Sequence, residues 1–124
     1  MQLNGMLWGS KLLDLVEFPH SEVRSAEASY DDIKGMIQKH GEVFIKPVFK
    51  GGVGKKGKAG LIGRAKNIET AMKEKERLYF VTHEVGFQRV KSDGVTFEGA
   101  VPAKHEVYFS IAESTKYRAP TMTI

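Results

Sequence analysis

Residues 43–62 read VFIKPVFKGGVGKKGKAGLI and carry the strongest structural signal in this 124-residue chain. An apolar strand with one lysine, Lys46, runs into a loop of glycines and lysines, and a second apolar segment follows. Glycines let backbone N–H groups turn toward an anion, and lysines add positive charge beside them. From Lys46 to Lys66 there are seven cationic side chains and no acidic one. The stretch therefore predicts a strand–loop–strand unit that cradles a polyphosphate.

Around this unit the sequence alternates helices with strands and then finishes in strands. The apolar periodicity predicts helices at 8–17, 31–40 and 67–78, and strands at 22–28, 43–49, 61–66, 79–90, 95–101, 107–112 and 117–124. Ser29 and Asn67 are typical residues for the start of a helix, and Gly41 is typical of a helix end. We therefore expect an α+β fold.

Each predicted helix has an apolar stripe. The expected stripes are Trp8, Leu12, Leu15 and Val16 in the first helix, Ile33, Met36 and Ile37 in the second, and Ile68, Ala71 and Met72 in the third. A chain of this length can bury a modest core, which indicates one domain or a large piece of one.

The composition excludes several classes of protein. Cysteine is absent, which removes disulfides, thiol catalysis and cysteine-ligated metals. No apolar run approaches the roughly 20 residues that span a bilayer, and the first residues do not have the pattern of a secretory signal. The net charge of +4 is moderate, and the cations are concentrated in the glycine-rich region. These features predict a cytoplasmic protein with a small anionic ligand.

Two well-known phosphate-binding patterns match the loop on paper. Residues 52–57 fit the dinucleotide pattern G-x-G-x-x-G, and residues 52–59 come close to the P-loop pattern G-x-x-x-x-G-K-[ST]. Both sites need a helix that begins at the loop, whereas KAGLIG (58–63) is a poor helix former. Ala59 also stands where the P-loop needs a hydroxyl for magnesium. The sequence therefore argues against both sites.

A glycine-rich loop between two strands can also lie over a nucleotide as a flap. Protein kinases have this arrangement, but their strand lysine follows the loop, whereas Lys46 precedes it. Nothing in the chain is similar to the kinase catalytic loop. The order found here, with the lysine first, is that of another class of nucleotide-binding fold.

Four segments resemble the ATP-grasp domain of the family that contains ATP-citrate lyase and the succinyl-CoA synthetase β subunit. They are IKP (45–47), KKGKAGLI (55–62), TFEGAVP (96–102) and HEVYFSI (105–111). In that family these positions are a strand lysine, a basic flap loop, a hinge beside the adenine and a Glu-x-Tyr strand. The resemblance covers residues 8–124, and it implies an ATP-grasp-like fold, with a mixed sheet and flanking helices in the N-terminal subdomain.

The chain departs from the family pattern at two points. The spacer between Lys46 and the Gly57-Lys58 pair is two residues longer than usual, and Lys56 stands where an arginine is common. Lysine keeps the charge but loses the bidentate geometry of a guanidinium. We therefore expect the flap to lie differently on the phosphates.

The resemblance implies a role in ATP binding for a defined set of residues. Lys46 would reach the α- and β-phosphates, and Glu98 would accept a hydrogen bond from the adenine amino group or brace the hinge. Ala100 and Val101 would offer backbone groups to the base, and Glu106 would face the ribose or phosphates. The flap would consist of Gly51, Gly52, Gly54 and Gly57, with Lys55, Lys56 and Lys58 screening the triphosphate.

The resemblance also divides the chain. Residues 1–97 would form the N-terminal ATP-grasp subdomain, with the flap at 50–60, and residues 98–124 the hinge and first strands of a second subdomain. Because the sequence stops within apparent strand character, we expect a truncated chain. Magnesium ligands, the coenzyme A-binding segments and the phosphohistidine of the parent enzyme, an oligomer, would then lie outside it.

The implied function is ATP binding for an acyl-CoA ligase or lyase, in which a carboxylate, preferentially citrate, is activated as an acyl-phosphate. Alone, the chain is expected to bind ATP weakly and to turn over nothing. The alternative is a small basic module that binds RNA or other phosphates without catalysis. The four histidines have no metal-ligand spacing, and no catalytic residue is identified.

Overall fold

The computed structural model describes residues 5–49, 60–85, 88–103, 105, 107, 110–114 and 119–123. Within these ranges the chain is an α+β protein with three helices and eight strands. In chain order they are α1 (Gly5–Leu15), β1 (Val23–Ser25), α2 (Tyr30–His40), β2 (Val43–Pro47), β3 (Gly63–Ala65), α3 (Ile68–Tyr79), β4 (Thr82–Val85), β5 (Gln88–Lys91), β6 (Val95–Gly99), β7 (Ser110–Ser114) and β8 (Ala119–Thr123).

The central sheet has four strands in the order β1-β6-β2-β3, and β4-β5 and β7-β8 form separate hairpins. All three pairings of the central sheet are antiparallel, so the predicted mixed sheet is wrong for these strands. The reason is that β6 lies between β1 and β2. Those two strands run in the same direction and are joined through α2, but they are not neighbours. The central position of β6 brings residues from the two halves of the chain together.

The predicted helix caps are confirmed. The Ser29 hydroxyl oxygen accepts a hydrogen bond from the Asp32 backbone N–H at 3.1 Å, and Asn67 Oδ1 accepts one from Thr70 at 2.8 Å. Gly41 ends α2 with a φ of +79°, a conformation that favours glycine, and its N–H donates to the carbonyl of Ile37. These bonds satisfy backbone groups that the helix ends leave unpaired.

The hydrophobic core lies between one face of the central sheet and helices α2 and α3. The predicted stripe of α2 is buried, and in α3 Ile68 and Ala71 are buried while Met72 is partly buried against the core. The sheet contributes Val43, Ile45, Ala65, Val95 and Phe97, which belong to the same cluster. Because the helices cover one face of the central sheet, the side chains on its other face are the ones available to bind a ligand.

Helix α1 behaves differently from the other two. The predicted helix is confirmed, but it ends at Leu15, and its predicted apolar stripe is largely exposed. Leu12 is 44% exposed, and Leu15 and Val16 are 80% and 71% exposed. The apolar periodicity therefore predicted the helix correctly, but its prediction that these side chains form a buried face is wrong for Leu12, Leu15 and Val16.

The single strand predicted at 79–90 is also wrong in its bounds, because this region contains the end of α3 and parts of two separate strands. Helix α3 continues through Tyr79, and two strands pair with Thr82 opposite Lys91 and Val85 opposite Gln88. The buried hydroxyl of Ser92 donates to the carbonyls of Leu78 and Tyr79 at 2.8 and 2.9 Å. Ser92 therefore attaches the end of this hairpin to the end of α3.

The last two predicted strands are found at Ser110–Ser114 and Ala119–Thr123 and pair as a hairpin, with Ser110 opposite Thr123 and Ser114 opposite Ala119. The predicted subdomain boundary between residues 97 and 98 falls inside β6, and the division itself stays a prediction. None of the helices in the described part of the chain has the length and apolar character needed to cross a membrane.

Candidate functional site

The face of the central sheet opposite α2 and α3, here called the polar face, carries the candidate site. Strand alternation buries Val43 and Ile45 against the helices and turns Phe44 and Lys46 to the other side. In the neighbouring β6, Glu98 lies opposite Phe44, which precedes Lys46 by two residues on the same face of β2. The sheet therefore places Lys46 and Glu98 diagonally next to each other, although they are 52 residues apart in the chain.

Lys46 and Glu98 form an ion pair on the polar face. The distance from Lys46 Nζ to Glu98 Oε2 is 2.6 Å, and the two side chains are 26% and 16% exposed. The hydroxyl of Ser21 donates to the other carboxylate oxygen, Oε1, at 2.9 Å. Both oxygens of Glu98 therefore have a partner within the protein, one a cation and one a neutral donor.

Ser21 was missed in the sequence analysis. It lies two residues before Val23, which pairs with Glu98 across β1 and β6. A serine just before a short strand has no local signal that distinguishes it from an ordinary surface residue. Only the pairing of the first strand with the sixth shows that this hydroxyl reaches the site.

The ion pair lines one cleft, and a second cleft shares part of its lining. The first, of about 410 Å³, is lined by Phe44, Lys46, Ile62, Glu98, Gly99 and Val101. The second, of about 510 Å³, is lined by His40, Gly41, Glu42, Phe44, Arg64, Lys66, Ala100, Val101 and Pro102. Phe44 and Val101 belong to both clefts. The structure thus brings four predicted residues, Lys46, Glu98, Ala100 and Val101, to one continuous region.

A second ion pair lies at the rim of this region. The Arg64 guanidinium donates to both oxygens of Glu42, from Nε at 2.8 Å and from Nη2 at 3.1 Å, and its centre lies 5.5 Å from that of the Phe44 ring. The hydrogen bond from Arg64 lowers the pKa of Glu42, and the carboxylate in turn raises the pKa of Arg64. Arg64 is therefore an oriented cation beside the second cleft.

At the predicted hinge, two backbone N–H groups already donate hydrogen bonds within the protein. The N–H of Gly99 donates to the carbonyl of Glu22 at 2.9 Å, and the N–H of Ala100 donates to the carbonyl of Glu42 at 3.0 Å. The Ala100 N–H is therefore already satisfied within the protein. A base in the second cleft would need the Ala100 carbonyl or the backbone of Val101, and these roles stay predictions.

The predicted flap residues Gly51, Gly52, Gly54, Lys55, Lys56, Gly57 and Lys58 lie outside the described part of the chain, and so does Glu106. Among the residues that the structure does describe, no group of three or more histidines and carboxylates is arranged to hold a metal ion. Nothing in the described site therefore assigns a place to magnesium.

No protein-family model matches this chain, and no curated protein matches it. The resemblance to the ATP-grasp family therefore stays a prediction from the four sequence segments.

Proposed function

We propose that this chain is the ATP-binding portion of an ATP-grasp enzyme that joins a carboxylate to coenzyme A, of the ATP-citrate lyase or succinyl-CoA synthetase type. The observation that carries the proposal is the partly buried Lys46 in a cleft that continues to the hinge at Ala100 and Val101. The four motif segments supply the ATP-grasp interpretation and the preference for citrate.

The size and charge of the clefts suit a nucleotide. Both volumes lie in the range of roughly 300–1,000 Å³ that is usual for small-molecule sites. Lys46 is 26% exposed, so its charge is less screened than that of a fully solvated lysine. In the second cleft, Phe44 and Val101 supply apolar surface, and Lys66 adds a positive charge beside the paired Arg64 and Glu42.

The proposed contribution of this chain to the reaction is binding and orientation. Lys46 would hold the α- and β-phosphates as a point charge, and the second cleft would receive the base. Magnesium, when bound to the nucleotide, neutralises phosphate charge as the γ-phosphoryl group moves to the carboxylate. No group of three or more carboxylates and histidines among the described residues is arranged to hold a metal ion, and the proposed share of these residues is to fix the nucleotide relative to the sheet.

Titration with Mg·ATP, followed by NMR of the isotopically labelled chain, tests this proposal. We expect shifts of the Lys46 side-chain signals and of the Ala100 and Val101 amides. Lys46→Gln should weaken ATP binding by about tenfold or more, because a charge-assisted contact to phosphate is lost. Lys34→Gln on the exposed surface of α2 is the matched control for the change in charge and should keep the original affinity.

A single-stranded oligonucleotide in the same titration separates this proposal from the RNA-binding alternative. A nucleic-acid module would bind the oligonucleotide with an affinity that falls linearly with salt on a log–log scale. Strong oligonucleotide binding of that kind, with no response of Lys46 or Val101 to ATP, would refute the proposal. Selective shifts with ATP would support it.

A further inference from the structure

The proposed function needs the positive charge of Lys46 for phosphate. In the ion pair on the polar face, the carboxylate of Glu98 already contacts that charge. Lys46 Nζ lies 2.6 Å from Glu98 Oε2, which is the distance at which it would also contact a phosphate oxygen. A phosphate that approaches this position competes with the carboxylate for the ammonium group, because the two anions repel each other. The affinity of the site for phosphate therefore includes the cost of separating Lys46 from Glu98.

The carboxylate is held in this position by more than its attraction to Lys46. Ser21 Oγ donates to Oε1, and the backbone of Glu98 is fixed in the central strand β6 between β1 and β2. Only 16% of the Glu98 side chain is exposed, so water competes weakly for its oxygens. The carboxylate therefore has a defined orientation in the absence of any ligand.

We propose that Glu98 is an internal counter-anion that occupies the ammonium group of Lys46 until a phosphate displaces it, and that Ser21 is the residue that positions Glu98 for this role. The inference rests on the proposed function, since it concerns the same phosphate site. It assigns Glu98 a task different from contact with the adenine amino group, and it gives Ser21 a task that its sequence position does not indicate.

The two tasks for Glu98 predict opposite effects of its removal. If Glu98 competes with phosphate for Lys46, its replacement by a neutral side chain strengthens phosphate binding, because the binding-competent form of Lys46 becomes more populated. If Glu98 instead contacts the base, the same change weakens ATP binding and leaves a ligand without a base unaffected. Tripolyphosphate, which has no base, is therefore the decisive probe.

The experiment compares tripolyphosphate binding to the original protein and to Glu98→Gln by isothermal titration calorimetry. Glutamine keeps the shape of the side chain and an acceptor for Ser21. We expect the affinity for tripolyphosphate to rise by about three- to tenfold. Glu74→Gln is the matched control, because Glu74 is also a partly buried carboxylate in an ion pair, with Arg77 at 2.6 Å. It should leave the affinity unchanged.

The role of Ser21 is tested by a double-mutant cycle. Ser21→Ala removes the donor to Oε1, so the carboxylate loses its fixed orientation and the affinity for tripolyphosphate should rise by about two- to threefold. Because Ser21 acts through Glu98, the same change should have no effect in the Glu98→Gln background. A purely structural role of Ser21 would produce the same shift in both backgrounds and would contradict its positioning role.

Chemical labelling of lysine amines, read by mass spectrometry, provides a measurement without a ligand. We expect Lys46 to react faster in Glu98→Gln than in the original protein, with Lys34 as the internal reference. Equal reactivity of Lys46 in the two proteins would overturn the proposal. So would tripolyphosphate binding of equal strength in both, and that result would leave the proposed function intact. No binding of tripolyphosphate to either protein would overturn this inference, and the Mg·ATP titration would then decide the proposed function separately.

Discussion

The two faces of the central sheet are built from the same strands but differ in what holds their residues in place. On the face toward α2 and α3, Val43, Ile45 and Phe97 are fully buried in an apolar cluster. On the polar face, an ion pair joins Lys46 to Glu98, and the Ser21 hydroxyl donates to the same carboxylate. The first face depends on volume and shape, and the second depends on charge.

This difference separates stability from binding within a single strand. Ile45 and Lys46 are neighbours in the chain and point to opposite sides of β2. Apolar burial is the dominant favourable term in folding, whereas a partly exposed ion pair contributes little to it. Substitutions on one face should therefore change the free energy of unfolding, and substitutions on the other should change ligand affinity.

The largest expected effect follows from removing a buried side chain. Ile45→Ala should lower the free energy of unfolding by about 2–5 kcal/mol, because it leaves a cavity in a cluster where Ile45 is fully buried. The measurement is urea denaturation monitored by circular dichroism.

Lys46→Gln is the matched variant on the opposite face and should lower the free energy of unfolding by about 1–2 kcal/mol, less than Ile45→Ala, because Glu98 keeps its hydrogen bond from Ser21 and glutamine is still a donor. Equal losses in the two variants would show that the polar face carries as much of the stability as the core. The claim that stability depends mainly on the apolar face would then be wrong.

The second effect concerns a close approach between β6 and α2. A Cβ atom at Gly99 would lie 2.5 Å from Cδ2 of His40, whose ring is hydrogen-bonded to Glu22 at 2.7 Å. The ring cannot move aside without losing this partner, so Gly99→Ala should lower the free energy of unfolding by about 1–3 kcal/mol. The transition midpoint in urea reports the change.

Gly35 provides the control for this substitution. It lies within α2, and a Cβ atom added there meets nothing within 4 Å. Gly35→Ala should raise the free energy of unfolding by about 0.5–1 kcal/mol, because alanine is the better helix former. If both variants lost a similar amount of stability, the loss would come from replacing a glycine as such, and the contact with His40 would not be its cause.

These comparisons also explain how much of the fold the sequence could predict. The caps at Ser29 and Asn67, the end of α2 at Gly41 and the buried stripe of α2 follow from local patterns, and all are confirmed. The antiparallel order of the sheet could not be predicted in this way. It depends on where β6 inserts, which is decided by contacts between residues far apart in the chain.

The candidate site shows the same limit. Lys46 and Glu98 could be selected from their motifs, and the structure places them in contact, but no motif indicated that they would pair with each other. Ser21 and the ion pair of Arg64 with Glu42 had no sequence signal as members of the site, because each is created by strand pairing. Chemistry that spans several strands requires the fold before it can be recognised.

The smallest expected effect is a pH dependence that arises from the polar face. The hydrogen bond from Arg64 lowers the pKa of Glu42 from its ordinary value of 4.5 in the folded protein. The resulting stabilisation is present above that value and is lost as the pH falls through the lowered pKa, because the unfolded chain then binds the proton more readily. Arg64→Gln should therefore lose less stability than the original protein between about pH 6 and about pH 3.5.

Urea midpoints across this pH range measure the difference. Part of the dependence should remain in Arg64→Gln, because His40 likewise lowers the pKa of Glu22 through a hydrogen bond. Arg89→Gln is the control, since Arg89 lies 3.6 Å from Glu84 and both side chains are about three-quarters exposed. Its pH profile should match that of the original protein. Identical profiles for all three proteins would mean that the Arg64–Glu42 pair adds nothing to stability, and that its orientation beside Phe44 matters only for binding.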